Sequence, residues 1–236
     1  MATKFAWVLK TPQSRLGIKA ASLGVAAFLL TGNSGALADV VFALFALVLY
    51  AFPPHRLRSA AGSFLVLLVL VIFSAPLANT VLMQFALASV SGVLFYLILA
   101  LKEMVLVERR GWRELVTLAM LSFSIFLFFL FPLSMRFAIY WLVLFAAASI
   151  SIRELLNATP IALVVALLIM ELSWGASLMP LNSLRAASLV VIITFVIIDI
   201  ASRGLQKTLT RRVLLTDISF ASALALAIGA ATQWGM

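Results

Sequence analysis

The residue with the clearest potential for chemistry is Glu171, in the stretch LIMELSWGASLMPLNSLR from Leu168 to Arg185. It places a carboxylate inside an otherwise apolar segment. An ionised carboxylate within a membrane costs several kcal/mol unless it is paired or hydrated. Glu171 is therefore expected to bind a proton, a cation or a substrate. The alternative is a protonated side chain that forms a hydrogen bond inside the protein and has a purely structural role.

The neighbours of Glu171 define the rest of this candidate site. On a helix, Trp174 and Gly175 lie on the same side as Glu171. That side carries no cation, so the carboxylate must find its partner on another span, in water or on a ligand. We expect Glu171 to face the protein interior or a polar cavity rather than lipid, with Trp174 and Gly175 shaping the wall.

Two arginines extend the prediction toward the outer side of the membrane. Arg136 and Arg185 are the only cations that the predicted topology places there. Guanidinium groups bind phosphates and carboxylates through paired hydrogen bonds, whereas ordinary interfacial arginines only extend to water. An outward polar pocket is predicted if both lie near Glu171. The candidate substrate-binding or ion-binding residues are Glu171, Trp174, Arg136 and Arg185, and no catalytic residue is predicted.

Other kinds of site find little support in the sequence. The chain has no cysteine, which excludes disulfides and thiolate metal ligands. Its single histidine, His55, lies in a predicted loop, and no cluster of histidine and carboxylates has the spacing of a metal site. No glycine-rich phosphate-binding motif is present. We therefore predict neither a metal nor a cofactor.

The composition indicates the environment in which this site lies. Of the 236 residues, 65% are hydrophobic and 11% are charged, whereas a soluble domain is about half apolar and about a quarter charged. The apolar runs are continuous rather than alternating, which excludes a membrane-spanning barrel. The predicted fold class is all-α, a polytopic integral membrane bundle of helices.

Nine apolar segments and the distribution of charge predict the topology. An N-terminus in the cytoplasm leaves 15 of the 17 basic residues inside and only Arg136 and Arg185 outside. We predict about nine transmembrane helices, with the N-terminus in and the C-terminus out. Eight spans or one re-entrant segment stay open, because several segments are shorter than the roughly 20 residues that cross a bilayer. The segments are 17–31, 36–52, 60–75, 77–101, 115–131, 137–152, 160–180, 186–202 and 214–234.

Nearly the whole chain belongs to one predicted domain. Residues 17–236 form the transmembrane domain, and residues 1–16 form a cytoplasmic segment that can lie along the membrane surface. The basic start, the apolar core and Ala36-Leu37-Ala38 also fit a cleavable signal peptide over residues 1–38. A retained first span is preferred, because the basic region is long and another span follows immediately.

Two local patterns predict packing and pairing. Small residues four positions apart, Ala20 with Gly24 and Ala88 with Gly92, allow helices to approach closely, within this chain or with a partner. In the eighth segment, the side chains of Asp199 and Arg203 are spaced for an ion pair along one helix.

These observations leave three hypotheses of function open. The first is a non-enzymatic subunit or scaffold of a membrane complex. The second is a small transporter or channel that uses Glu171 as its proton, cation or substrate site. The third is a membrane-embedded enzyme that acts on a lipid-linked substrate, with Glu171 as general base.

The predicted surroundings follow from the same charge pattern. The expected partners are membrane lipids together with other membrane subunits or further copies of the chain. Nucleic acid is not expected, because the basic charge follows the topology and the anionic headgroups. The expected location is a multi-pass position in a prokaryotic cytoplasmic membrane.

Overall fold

The computed structural model describes residues 12–32, 35–52, 60–103, 110–130, 141–156 and 158–233. Over these ranges the chain forms nine α-helices and no strand, so the all-α prediction is confirmed there. Each helix falls on one of the apolar segments of the sequence. The helices are α1 (Pro12–Gly32), α2 (Ala36–Ala51), α3 (Ala61–Ser74), α4 (Val81–Lys102), α5 (Arg110–Leu130), α6 (Trp141–Leu156), α7 (Thr159–Ser177), α8 (Ser183–Leu205) and α9 (Arg211–Gln233).

Four of these helices are long and apolar enough to cross a membrane, namely α1, α4, α7 and α8. Crossing about 30 Å of hydrocarbon takes about 20 residues at 1.5 Å per residue. The apolar parts of α2, α3, α5 and α6 are shorter than that. A short 3₁₀ turn, Ala75–Leu77, extends α3 by one turn.

The chain divides into two compact units, Met1–Val116 and Thr117–Met236. We call them unit 1 and unit 2. The single domain predicted over residues 17–236 stays a prediction. Most of the predicted surface segment, residues 1–16, lies outside the described residues, which begin at residue 12.

In unit 1 the first four helices alternate in direction. Lys19, near the start of α1, contacts Phe52 and Glu103, which follow α2 and α4. Lys102, the last residue of α4, contacts Tyr50 near the end of α2. The start of α1 and the ends of α2 and α4 therefore meet at one end of the unit. We call this the lysine end, defined by Lys19, Lys102 and Glu103.

The tightest contact in unit 1 is the crossing of α1 and α4. A Cβ atom at Gly24 would lie 3.0 Å from the carbonyl oxygen of Ala88, and one at Gly92 would lie 3.2 Å from that of Ala20. The two predicted small-residue pairs thus pack on each other. The close packing predicted for them is confirmed, and it occurs within this chain.

Unit 2 has its own apolar core, built by residues from α5 to α8. Helix α7 packs between α6 and α8, whereas α9 packs mainly against α8. The predicted pair on α8 is confirmed, since Arg203 Nε lies 2.7 Å from Asp199 Oδ2. Well-buried members of this core are Leu121, Ile125, Phe129, Ala148, Ile152, Ala166, Ile169, Ala187 and Val190.

Candidate functional site

Helix α7, which carries Glu171, has two sides that differ in burial. One side packs into the core of unit 2; its buried residues include Ala162, Val165, Ala166, Ile169, Ser173 and Ala176. The other side is exposed, and it is apolar apart from one carboxylate. We call it the Glu171 face, and it consists of Leu163, Val164, Leu167, Leu168 and Glu171.

The helical repeat places Glu171 on this face, at the end of the face nearest the C-terminus of α7. Leu168, Leu167 and Val164 precede it by three, four and seven residues, so they share its side of the helix. All three are exposed, Val164 by 58%. Ile169 and Ser173, two residues before and after, are buried on the opposite side. The Glu171 side chain is therefore directed away from the helices that pack against α7.

Within unit 2, Glu171 is exposed rather than packed in the interior, and the predicted polar cavity around it stays a prediction. Helices α6 and α8 pack on the opposite side of α7, where Ala162, Ala166 and Ala176 are buried. Small side chains let helix backbones approach closely, so they determine which side of α7 is packed. The carboxylate is left on the outer side. Among the described residues, none forms a hydrogen bond or ion pair with it.

The depth of Glu171 along the helix matters as much as its direction. It precedes the last residue of α7, Ser177, by six positions, which is about 9 Å along the axis. The whole helix has 19 residues. Glu171 is thus well inside the apolar part of α7 rather than at its end, and its short side chain cannot bridge 9 Å.

The structure describes two of the other three predicted site residues, Trp174 and Arg185. Trp174 lies at the edge of the Glu171 face and is half-buried. Arg185 is half-buried in the first turn of α8, where its backbone N–H donates to Asn182 Oδ1 at 2.9 Å. Arg185 and Glu171 do not form an ion pair. Arg136 lies outside the described residues. That these four residues bind a substrate or an ion stays a prediction.

The lysine end is a polar cluster that sequence reasoning missed. Lys102 is only 1% exposed, and its ammonium group donates to the Tyr50 carbonyl and lies 4.5 Å from the centre of the Tyr50 ring. Lys19 donates to the Phe52 carbonyl and lies 3.7 Å from Glu103 Oε1. Both lysines therefore cap the carbonyl end of α2. Cations are favoured there because helix dipoles make this end partly negative.

Aromatic contacts hold the capped end of α2 in place. The Tyr50 ring stacks on Phe64 of α3 with a centroid distance of 4.3 Å and an interplanar angle of 7°. Phe64 in turn contacts Phe95 of α4, with centroids 6.1 Å apart. In the sequence, Lys19 and Lys102 read only as cations near span ends. No local signal shows that the end of α2 lies between them, because that depends on how three helices pack.

Two apolar grooves run along α1 in unit 1. The α1–α4 groove has a volume of about 630 Å³ and includes Gly24, Phe28, Ser89 and Gly92. The α1–α2 groove has a volume of about 560 Å³. Its walls include Ser22, Ala26 and Leu29 from α1, and Val41, Phe42 and Phe45 from α2. Neither groove includes a predicted site residue.

Neither a metal site among the described residues nor a known relative adds to this description of the candidate site. In the part of the chain that the structure describes, no group of three or more histidine, aspartate or glutamate side chains is placed to hold a metal ion. Comparison with protein-family models, with curated proteins and with solved structures finds no match to this chain.

Proposed function

We propose that the protein is a non-enzymatic subunit of a membrane complex, in which a helix of another polypeptide docks on the Glu171 face. One observation carries the proposal. A carboxylate lies on an exposed, otherwise apolar helix face, about 9 Å before the end of the helix, and has no partner among the described residues. A surface of this kind is complementary to an apolar helix that carries one donor or cation.

The energetic argument rests on the surroundings of α7. A charged side chain that faces hydrocarbon costs several kcal/mol. Long lysine and arginine side chains avoid this cost by extending to the headgroups, but Glu171 is too short to do so from its depth. A lysine, arginine, asparagine or hydroxyl on a docked helix offers the missing partner at that depth. Such hydrogen bonds between membrane helices contribute about 1 kcal/mol each.

Helix α9 gives independent support for an assembly. It packs mainly against α8, and most of its described side chains are exposed. The exposed residues include Ser219, Ala223 and Ala227, which are spaced four apart along one side. Small residues at this spacing allow a second helix to approach closely. Unit 2 thus offers more than one surface on which a partner helix fits.

The transporter and enzyme alternatives have weaker support. A transported ion or proton needs a water-accessible path to Glu171, and such paths are usually lined by several helices. Neither groove described above includes Glu171. A lipid-modifying enzyme with Glu171 as base needs a second catalytic group beside it, and Arg185 does not pair with Glu171.

A site-specific crosslinking experiment tests the proposal. A photoreactive amino acid at Leu167 or Leu168, both exposed on the Glu171 face, is introduced into the tagged protein in its own membrane. We expect both positions to capture the same polypeptide, at a span that carries a donor or cation. Leu65 on α3, which is also exposed, is the control and should not capture that span. Capture of lipid alone at Leu167 and Leu168 would contradict the proposal.

We further infer that the chain crosses a cytoplasmic membrane nine times, with its N-terminus inside and its C-terminus outside. The nine described helices coincide with the nine apolar segments. At the lysine end, Lys19 of α1 lies close to Lys102 and Glu103 at the end of α4. The positive-inside rule assigns these charged helix ends to the cytoplasm, which supports the proposed orientation of unit 1 in the membrane.

The absence of cysteine from the chain makes this topology easy to test. Gly35, Met179 and Thr208 are exposed positions between helices. Single cysteines are introduced there and treated with a membrane-impermeant maleimide. We expect labelling of intact cells at Gly35→Cys and Met179→Cys, and labelling at Thr208→Cys only after permeabilisation. Labelling of Thr208→Cys in intact cells would contradict the predicted number or direction of spans.

A further inference from the structure

We propose that the α1–α2 groove binds an anionic phospholipid, with the phosphate at Arg15 and one acyl chain along the groove. The groove lies between two apolar helices and its walls are almost wholly apolar. The one hydroxyl in the wall, Ser22, donates to the backbone oxygen of Ile18 at 2.9 Å. Because this hydrogen bond uses the hydroxyl proton of Ser22, that proton is not left unpaired beside an acyl chain, and the groove suits a hydrocarbon chain.

The register of α1 aligns a cation with this groove. Arg15 precedes Ser22, Ala26 and Leu29 by seven, eleven and fourteen residues, and these spacings place all four on one side of the helix. Arg15 is exposed, and no described carboxylate forms an ion pair with it. A guanidinium group binds a phosphate through paired, charge-assisted hydrogen bonds.

The length of the site matches one leaflet of a bilayer. Lys19 lies one turn beyond Arg15 and is fixed to the Phe52 carbonyl at the end of α2. From Lys19 to Leu30, at the far end of the groove, α1 rises by about 16 Å. One leaflet has about 15 Å of hydrocarbon. A phosphate at Arg15 therefore leaves room for an acyl chain along the full groove.

The α1–α4 groove provides a natural comparison within the same unit. It is of similar size and is also apolar. However, the residues of α1 that continue its line toward the lysine end are Gly17 and Gln13, which carry no charge. On α4 the same line leads from Gly92 and Tyr96 to Glu103, which is already paired with Lys19 at 3.7 Å, so this line offers no free cation to a headgroup. Charge therefore favours an anionic lipid in one groove and not in the other.

Photoreactive lipids test the proposal on the full-length protein in nanodiscs. The two probes are phosphatidylglycerol and phosphatidylcholine with identical acyl chains, each carrying a diazirine halfway along one chain. Labelled peptides are identified by mass spectrometry. We expect phosphatidylglycerol to label the α1–α2 groove about fivefold more than phosphatidylcholine does, in line with one basic contact to a headgroup. The α1–α4 groove should show no preference.

Matched variants separate the effect of the Arg15 charge from the effect of the open space in the groove. Arg15→Gln should remove the preference for phosphatidylglycerol, and Arg15→Lys should keep part of it. Arg153→Gln removes another exposed cation, in unit 2, and should change nothing in the groove. Ala26→Leu fills the groove and should lower labelling by both lipids. Ala86→Leu, at an exposed position of α4 that lines neither groove, is its control.

Several results would overturn the proposal. One is an unchanged preference in Arg15→Gln, a variant of an exposed residue that should fold normally. Another is an equal loss in Arg153→Gln, which would indicate a general charge effect. An equal preference in the α1–α4 groove would show that the alignment of Arg15 is irrelevant. Capture of a polypeptide instead of lipid by a photoreactive residue at Val41, on the groove wall, would identify a protein occupant.

Discussion

Replacing Glu171 with leucine is expected to weaken the association of the protein with the proposed partner helix by about fivefold while the isolated chain stays folded. The substitution removes one hydrogen bond or ion pair between the helices, and such a bond between membrane helices contributes about 1 kcal/mol. The chain itself should be unaffected, because Glu171 is exposed and no described residue pairs with it. Native mass spectrometry of gently extracted membranes measures the bound fraction, and thermal unfolding measures the stability of the chain.

Two further variants make this prediction specific. Glu171→Gln keeps the shape and a hydrogen-bonding group, so it should weaken the complex much less than leucine does. Asp199→Asn removes the carboxylate of the part-exposed Asp199–Arg203 pair and should leave the complex intact, because such a pair contributes at most about 1 kcal/mol. The variants thus distinguish an effect of the Glu171 carboxylate on the complex from a general effect of removing a negative charge.

The possible outcomes separate the hypotheses of function. Full retention of the complex in Glu171→Leu would contradict the subunit proposal. Loss of folding in the isolated variant would show that Glu171 stabilises the chain itself. A complex that persists in Glu171→Gln but loses a proton-coupled or cation-coupled flux would favour the transporter alternative.

The second large effect is expected at the crossing of α1 and α4. Gly24→Leu should lower the free energy of unfolding of unit 1 by about 1–3 kcal/mol, the usual cost of overpacking. Even a Cβ atom at this position would lie 3.0 Å from the backbone oxygen of Ala88, which cannot rotate away as a side chain does. The two helices must then separate. Thermal unfolding in detergent and the onset of proteolysis measure the loss.

Gly17→Leu is the matched control for this substitution. Gly17 lies two turns earlier on the same helix, and a Cβ atom there would meet nothing within 4 Å. Leucine at this position should be neutral or stabilising by up to about 1 kcal/mol, because glycine is a poor helix former. Equal destabilisation by both variants would contradict the assignment of the α1–α4 contact as the constraint.

Several features of the protein follow from the sequence alone. Long continuous apolar runs require helices, because a helix satisfies every backbone hydrogen bond within itself where no water is available. The nine apolar segments therefore coincide with nine described helices. Local spacing also predicts the Asp199–Arg203 pair. The small residues at Gly24 and Gly92 predict a close helix contact, although not which helices form it.

Only the tertiary structure decides the direction of Glu171 and the partners of the two lysines. In a helix that is apolar on all sides, hydrophobicity does not distinguish the packed side from the exposed side. Small residues such as Ala162 and Ala166 do so by letting neighbouring backbones approach. Lys19 and Lys102 become caps only because the end of α2 lies between α1 and α4. The two lysine contacts join residues 33 and 52 positions apart, so no local pattern in the sequence contains them.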